Sequence, residues 1–399
     1  MTARQPGMRF VLFTVLLDVL GFGLLIPVGP DLIMQLQGGT EADAAPVVGW
    51  LIATFSAMVF LGSPVLGALS DRYGRRPVLL LAMLGSGLDY FAMALVPTVP
   101  WLFVTRVING LTGASMTVAA AYIADVTPPE KRAGAFGMFG ATVGVGFVLG
   151  PLAGGLLGNT DIRYPFYLAG ALTLLNASYG WFVLPESLPP ERRSQRRITS
   201  PIAALAVFAR YPLALRLAGT LFLVNVAQFA LHATWRLYTK HRYDWQPADV
   251  GWSMFAVGLG AFVVQGGLAR RIVPRLGERR AIVVGLAIAT VAYVGYALAT
   301  AGWMIYVAIG VASFGGIAMP ACQSLITKSV RPDEQGAVQG GLTSAQSLAN
   351  VLGPLLGAGV FAWSIDPGRT GAHPGTVFLV SAGLSLAGLL AAMVTLRRP

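Results

Sequence analysis

The chain has 399 residues, of which 55% are hydrophobic and only 11% charged, with a mean hydropathy of +0.67. A soluble domain carries about 25% charged residues, so this composition excludes a water-exposed globular surface and fits a protein whose solvent is lipid. The net charge of +11 is spread over short loops between apolar runs rather than gathered on one soluble face, which argues against nucleic acid as a partner.

A membrane helix needs about 20 mostly apolar residues. Twelve stretches reach that length: residues 9–35, 47–69, 78–96, 101–125, 132–157, 164–184, 214–238, 249–269, 280–299, 303–327, 335–362 and 374–396. They lack the polar alternation of membrane strands, so an all-α integral membrane fold is predicted. The first stretch follows Arg4 and Arg9 and has the outline of a secretory signal. Asp18 lies inside it and no small-residue cleavage site follows, so it reads as a retained first span.

The spans carry few deep charges: Asp18 in the first, Asp89 in the third and Arg106 in the fourth. A charge in the bilayer core is costly and should face a cavity or a partner. At a rise of 1.5 Å per residue, Asp18 and Asp89 lie roughly 15 Å from the same side, and Arg106 can reach them from the other. Such a trio can exchange protons, because burial and a mobile guanidinium move the proton affinity of a carboxyl group in opposite directions. A static ion pair that only packs helices is the alternative. Between spans two and three, Gly67 to Pro77 reads as a gate loop, or as charge that only orients the chain in the membrane. Gly67 would allow close helix contact, Gly74 suits a tight turn, and Asp71 and Arg75 are four residues apart, as on one helical turn, with Asp125 available to complete the cluster.

The fifth span holds Gly140, Gly144, Gly146, Gly150, Pro151, Gly154 and Gly155, which is either a packing seam or part of the transport path. The stretch Pro185 to Pro212 is rich in Pro and Arg and divides the chain into an N-terminal bundle (1–185), a cytoplasmic linker (186–212) and a C-terminal bundle (213–399). The halves repeat. Gly150-Pro151-Leu152-Ala153-Gly154 returns as Gly353-Pro354-Leu355-Leu356-Gly357, and Arg72-Tyr73-Gly74-Arg75-Arg76 as Arg275-Leu276-Gly277-Glu278-Arg279, both 203 residues on. A parallel repeat places a substrate cavity between the halves.

The second half has no deep acid. His232 reads as a satisfied interfacial residue, and Cys322 as a small core residue. Candidate substrate contacts are the polar Asn225, Gln228, Gln323, Gln346 and Asn350 with the aromatic Phe222, Phe229 and Phe314, each also able to serve as helix–helix glue. Lys and Arg concentrate in alternate loops, from Arg72, Arg75 and Arg76 to Lys328 and Arg331, and at both chain ends. The opposite loops hold about fourfold fewer, which predicts a multi-pass protein of the inner (plasma) membrane with both termini cytoplasmic. There is no Walker A sequence, no metal cluster and no nucleophile triad, so neither an enzyme nor an ATP-driven pump is expected.

At these residues the chain resembles the major facilitators, and within them the tetracycline/proton antiporters, over essentially its full length. Gly67 to Pro77 is similar to the superfamily's cytoplasmic signature, Arg106-Val107-Ile108-Asn109-Gly110 to its span-four signature, and Gly150-Pro151 with Gly154-Gly155 to its antiporter motif. Leu17-Asp18-Val19-Leu20-Gly21-Phe22-Gly23-Leu24, Leu88-Asp89-Tyr90, Gly315-Gly316-Ile317-Ala318-Met319-Pro320 with Gln323, and Glu334-Gln335-Gly336-Ala337 with Gln339-Gly340 resemble the tetracycline exporters. The resemblance implies the major facilitator fold, with twelve transmembrane helices in two six-helix bundles related by pseudo-two-fold symmetry. It assigns Asp18, Asp89 and Arg106 to export and Asp71, Arg75 and Asp125 to the gate. Enterobacterial members carry a His in span eight and an Asp in span nine, tied to proton-coupled tetracycline export, where Ala261 and Ala289 stand here.

The sequence therefore predicts a proton-coupled exporter of drug-like molecules, tetracycline among them, working by alternating access. The alternatives are an exporter of another hydrophobic compound, or an importer of a small organic solute. The expected partners are a hydrophobic small molecule, protons and the bilayer. No cofactor is expected, the proton gradient being the energy source, and the default state is a monomer because one chain supplies both halves of the cavity.

Overall fold

The computed structural model describes residues 6–113, 115–193, 208, 210–331, 334–366, 368 and 373–397. Among them the long elements are all helical: α1 (Pro6–Leu25), α2 (Gly29–Gln37), α3 (Glu41–Tyr73), α4 (Arg75–Leu95), α5 (Val99–Thr112), α6 (Ser115–Val126), α7 (Arg132–Gly158), α8 (Tyr164–Val183), α9 (Pro212–Tyr243), α10 (Pro247–Val263), α11 (Ala269–Leu276), α12 (Glu278–Leu298), α13 (Gly302–Gly315), α14 (Ala318–Lys328), α15 (Gln335–Ser364) and α16 (Thr376–Arg397). A π-helical turn, Val264–Leu268, joins α10 to α11. The part of the linker at 194–207 and 209, with Arg196 and Arg197, lies outside the described residues.

Eleven described helical stretches are long and apolar enough to cross a membrane. The twelfth expected span is α8. It has 20 residues, about 30 Å at 1.5 Å per residue, but polar residues dilute its apolar character. Thr173 and Asn176 are turned inward, at 1% and 4% exposure, and the Asn176 amide donates to the Thr14 hydroxyl at 3.0 Å.

Several expected spans are interrupted. The first ends at Leu25 and resumes at Gly29. The fourth breaks at Gly113 between α5 and α6, and the tenth breaks at Gly316 and Ile317 between α13 and α14. Gly113 and Gly316 are again 203 residues apart, so the repeat extends to helix breaks. Membrane helices tolerate such breaks where the protein itself satisfies the freed backbone groups.

The chain forms two compact units, residues 1–37 with 54–199, and residues 38–53 with 200–399. In the first, α7 lies against α1 through glycines spaced four apart. A Cβ at Gly150 would stand 2.8 Å from the Leu20 carbonyl oxygen and 2.9 Å from the Gly23 Cα, and one at Gly146 would stand 2.8 Å from the Val19 Cβ. A Cβ at Gly154 would overlap the Leu24 carbonyl. Only residues without a side chain permit this approach of two backbones. Phe10, Leu79, Met83, Val118, Tyr122 and Ile123 fill the core beside this seam. The outer members of the glycine series, Gly140 and Gly144, have nothing within 4 Å of a Cβ, and neither does Gly67. The close helix contact expected at Gly67 is thus not found.

The second unit repeats the seam between α9 and α15. A Cβ at Gly353 would lie 2.8 Å from the Val226 carbonyl oxygen, and one at Gly357 would lie 2.6 Å from that of Ala230. Trp235, Tyr238, Phe361 and Phe378 are fully buried nearby, with the Trp235 indole donating to the Ser253 hydroxyl at 3.0 Å and the Tyr238 hydroxyl to the Tyr296 carbonyl at 2.9 Å. Helix starts follow local chemistry. Proline stands in the first turn of α5, α8, α9 and α10, where its missing N–H costs no helical bond. α9 ends on Asp244 at φ 53, a left-handed cap.

The seam makes a contrast that thermal unfolding in detergent can read. Gly150→Val should destabilise the first unit by about 3 kcal/mol, the upper end of overpacking costs, while Gly140→Val should leave the midpoint nearly unchanged.

Candidate functional site

The deep charges of the first unit form one constellation. Asp89 on α4 and Arg106 on α5 are both at least nine-tenths buried, at 6% and 9% exposure. The Arg106 Nη2 donates to Asp89 Oδ2 in a salt bridge, and the Asn109 amide donates to the same oxygen at 2.5 Å. Arg106 also reaches the Met93 thioether at 2.6 Å and stands 5.4 Å from the centroid of the Phe55 ring. Arg106 and Asn109 lie three apart and so share a face of α5, which directs both at one carboxylate. Asp89 Oδ1 and Arg106 Nε are buried without a hydrogen-bond partner, so the pair is one-armed.

Asp18 on α1 does not join Arg106 directly. Its partner is the Ser115 side chain, at the start of α6 beyond the helix break, and its Oδ2 is buried and unpaired. Tyr90 lies among Asp18, Arg106 and Asp89 and fills the space against Gly21, where a Cβ would stand 3.1 Å from the Tyr90 hydroxyl. The expected trio is thus a pair plus a neighbour, with Tyr90 close to all three.

The gate loop is built around Arg75. Its Nη2 pairs with Asp71 Oδ1 at 2.6 Å and its Nε with Asp125 Oδ2 at 3.0 Å, while Nη1 donates to the Ser70 hydroxyl at 2.6 Å. Asp71 and Arg75 are not on one helical turn as expected. α3 ends at Tyr73, Gly74 takes φ 105, and α4 begins at Arg75, so the ion pair spans a helix junction. Sequence reasoning missed Glu186, whose carboxylate caps α4. It accepts the N–H of Arg75 at 2.9 Å and of Arg76 at 3.3 Å, and those of Ser187 and Leu188 at 2.9 and 3.0 Å. A carboxylate there satisfies orphan donors and the positive end of the helix. Nothing local in the sequence signals it, because Glu186 and Arg75 are 111 residues apart.

The second unit repeats this junction with its charges exchanged. Gly277 takes φ 78, and Glu278 beyond it accepts from Lys328 Nζ at 2.7 Å and the Ser324 hydroxyl at 2.5 Å. Glu278 and Lys328 stand 203 residues after Arg75 and Asp125. Farther along the chain, outside the spans, Glu334 accepts from the Tyr211 hydroxyl and from Arg210, which together hold its carboxyl below the usual carboxylate range.

Of the substrate candidates, Gln228 and Phe229 come together with His232. Gln228 Oε1 accepts from the Tyr293 hydroxyl at 3.1 Å, Gln228 Nε2 lies 2.8 Å from His232 Nε2, and the Phe229 and His232 rings meet edge to face at 6.3 Å. His232 is therefore partnered, as expected. Asn225 lies half-buried on α9, and Gln323 and Gln346 are exposed on α14 and α15. Ala289 sits tight against the helix break, since a Cβ on Gly315 would stand 3.2 Å from the Ala289 Cβ. Gly146, Gly150 and Gly154, with Pro151, form the α1–α7 seam.

Broken apolar helices, repeated seams and a buried intramembrane ion pair define a multi-pass membrane transporter. The family model described as Major Facilitator Superfamily matches residues 11–316 and 275–399, and the chain belongs to that superfamily. It is 37% identical over 378 residues to the class C tetracycline resistance protein of Escherichia coli, covering 94% of this chain and 93% of that one. It is 35% identical over 400 residues to the class D tetracycline resistance protein of Salmonella ordonez, covering 99% and 98%. Among solved structures it is similar to the human organic anion transporter MFSD10 (TETRAN), with a TM-score of 0.70, 25% identity, and coverage of 98% of this chain and 100% of that one.

Two consequences are measurable. Arg106→Ala strands a buried carboxylate and should destabilise the protein by about 3–5 kcal/mol. The double variant Asp89→Asn with Arg106→Ala should recover most of that in thermal unfolding. At the junctions, charge reversal of Glu278 or Lys328 alone should lower the midpoint, and the exchanged pair Glu278→Lys with Lys328→Glu should restore it.

Proposed function

We propose that this protein is a proton-coupled secondary exporter of hydrophobic drug-like molecules, tetracycline among them, in the inner membrane with both termini cytoplasmic. The observation that carries the reading is the one-armed Asp89–Arg106 pair within a chain similar end to end to tetracycline resistance proteins. In apolar surroundings a carboxyl group holds its proton tightly, and a guanidinium alongside reverses that preference. A shift of α5 against α4 would therefore exchange a guanidinium partner for a proton. Asp18, on the seam helix α1, would sense the same event through Tyr90 and Ser115. Alternating access between the N-terminal bundle (1–185) and the C-terminal bundle (213–399) would then be paced by protonation. The chain works as a monomer and uses no cofactor.

The gate cluster of Asp71, Arg75 and Asp125 would hold one state closed through ion pairs that break as α3 and α4 move. Gln228, Phe229 and Asn225, with Gln323 and Gln346, would contact substrate in the C-terminal bundle. A second reading, export of a hydrophobic compound other than tetracycline, is favoured by Ala261 and Ala289, which leave two positions without the ionisable groups that the resemblance leads one to expect.

Everted membrane vesicles with an acid interior test the proposal. The wild type should accumulate tetracycline, and an uncoupler should abolish accumulation. Asp18→Asn should insert and fold normally but lose gradient-driven uptake on the order of tenfold or more, as expected for loss of an essential proton carrier. Full accumulation by Asp18→Asn would remove that residue from the coupling path, and uptake of other lipophilic drugs without tetracycline would favour the second reading.

A further inference from the structure

At the arginine-rich end of the first unit, a cavity of about 320 Å³ opens between the end of α3, the start of α4 and the end of α8. Its lining includes Tyr73, Arg76, Pro77, Trp181, Glu186 and Arg193. Two guanidinium groups and one carboxylate thus face it. The carboxylate is already spent, because Glu186 accepts four backbone N–H groups. Arg76 is held in place rather than neutralised. Its Nη2 donates to the Trp181 carbonyl at 2.5 Å, its guanidinium lies 5.9 Å from the centroid of the Trp181 ring, and its Nε is buried without a partner. Arg193 is exposed beside it. The cavity therefore offers cationic donors that the protein leaves incompletely used.

The surface leading away from this cavity is apolar. On α4, Leu81, Leu84 and Leu88 are exposed, and on α8 so are Leu175, Tyr179 and Phe182. Each set is spaced by three or four residues and forms one stripe along its helix. The two helices pack on each other, with Phe91 and Tyr167 in ring contact at 6.1 Å. Exposed apolar stripes on a membrane helix face acyl chains. Tyr73 and Trp181, both exposed at the mouth, are the residue types that sit at headgroup level. The positive-inside bias puts this end at the cytoplasmic leaflet, whose anionic lipids are drawn to basic pockets between helices. Arginine pairs with phosphate through two parallel hydrogen bonds.

We propose that this pocket binds the phosphate of an anionic phospholipid of the cytoplasmic leaflet, with the acyl chains lying along the exposed stripes of α4 and α8. A soluble phosphate ester shares the headgroup chemistry but has no use for the apolar wall. The site adjoins the gate loop, because Glu186 joins the pocket to the first turn of α4.

Native mass spectrometry of the purified, delipidated full-length protein tests this with phosphatidylglycerol and phosphatidylcholine as probes. The wild type should retain about one phosphatidylglycerol in preference to phosphatidylcholine. Arg76→Gln and Arg193→Gln should each lower that retention about fivefold, the worth of one basic residue near a membrane surface. Arg271→Gln, at an exposed arginine of the second unit, should leave it unchanged. Equal retention of the two lipids by the wild type would overturn the proposal, as would an equal loss in Arg271→Gln. Displacement of the lipid by millimolar glycerol phosphate would also overturn it, in favour of a soluble phosphate ester. Because the lipid preference and the displacement are read on wild-type protein, the test stands even where a variant fails to fold.

Discussion

Within the hydrocarbon of a membrane no water is available to hydrogen-bond a free backbone or side-chain polar group, and the architecture of this chain follows from that constraint. Wherever a helix stops or a charge is buried, a partner has to come from elsewhere in the protein. The start of α4 is capped by Glu186, three residues past the end of α8. The break at Gly113 leaves Ser115 beside Asp18, and Asn109, one turn before the break, turns its amide to Asp89. The glycine seams serve the same end by letting whole backbones approach, so that α1 with α7, and α9 with α15, bury their apolar surfaces without side-chain bulk between them.

The repeat copies geometry more faithfully than chemistry. Left-handed glycines, helix breaks and glycine seams recur at one offset, because they are set by backbone shape. Charge is free to differ. The junction pair Arg75–Asp125 becomes Glu278–Lys328 with its polarity reversed. Deep carboxyl groups occur in the first unit, while the second buries Arg236 toward the end of α9, donating to the Trp245 carbonyl, and offers the hydrogen-bonded chain from Tyr293 through Gln228 to His232. A two-fold fold whose deep acids lie on one side suits the proposed division of labour, with proton handling in one half and substrate contacts in the other.

Much of this was legible in the sequence, because the physics involved is local. Apolar length marked the spans, and rarity marked Asp18, Asp89 and Arg106. Spacing of four marked the seam at Gly146, Gly150 and Gly154. The rest depends on three-dimensional neighbours. Gly140 and Gly67 share the composition of the seam yet have no backbone across from them, and a sequence cannot show which glycines are opposed. The helix breaks at Gly113 and Gly316 looked like continuous apolar runs, since glycine is common within membrane helices. Glu186 cannot be matched to Arg75 across 111 residues, and charge alone points Asp18 toward Arg106, whose salt-bridge partner is Asp89.

In the proposed cycle protons and drug move in opposite directions through one protein. Purified protein in liposomes with a trapped pH dye, equal pH on both sides and tetracycline added outside measures this directly. Drug entering down its own gradient should drive protons out and turn the lumen alkaline, and Asp89→Asn should abolish that signal. Drug entry with no movement of protons would contradict the account and leave a transporter whose buried ion pair serves only to hold its helices together.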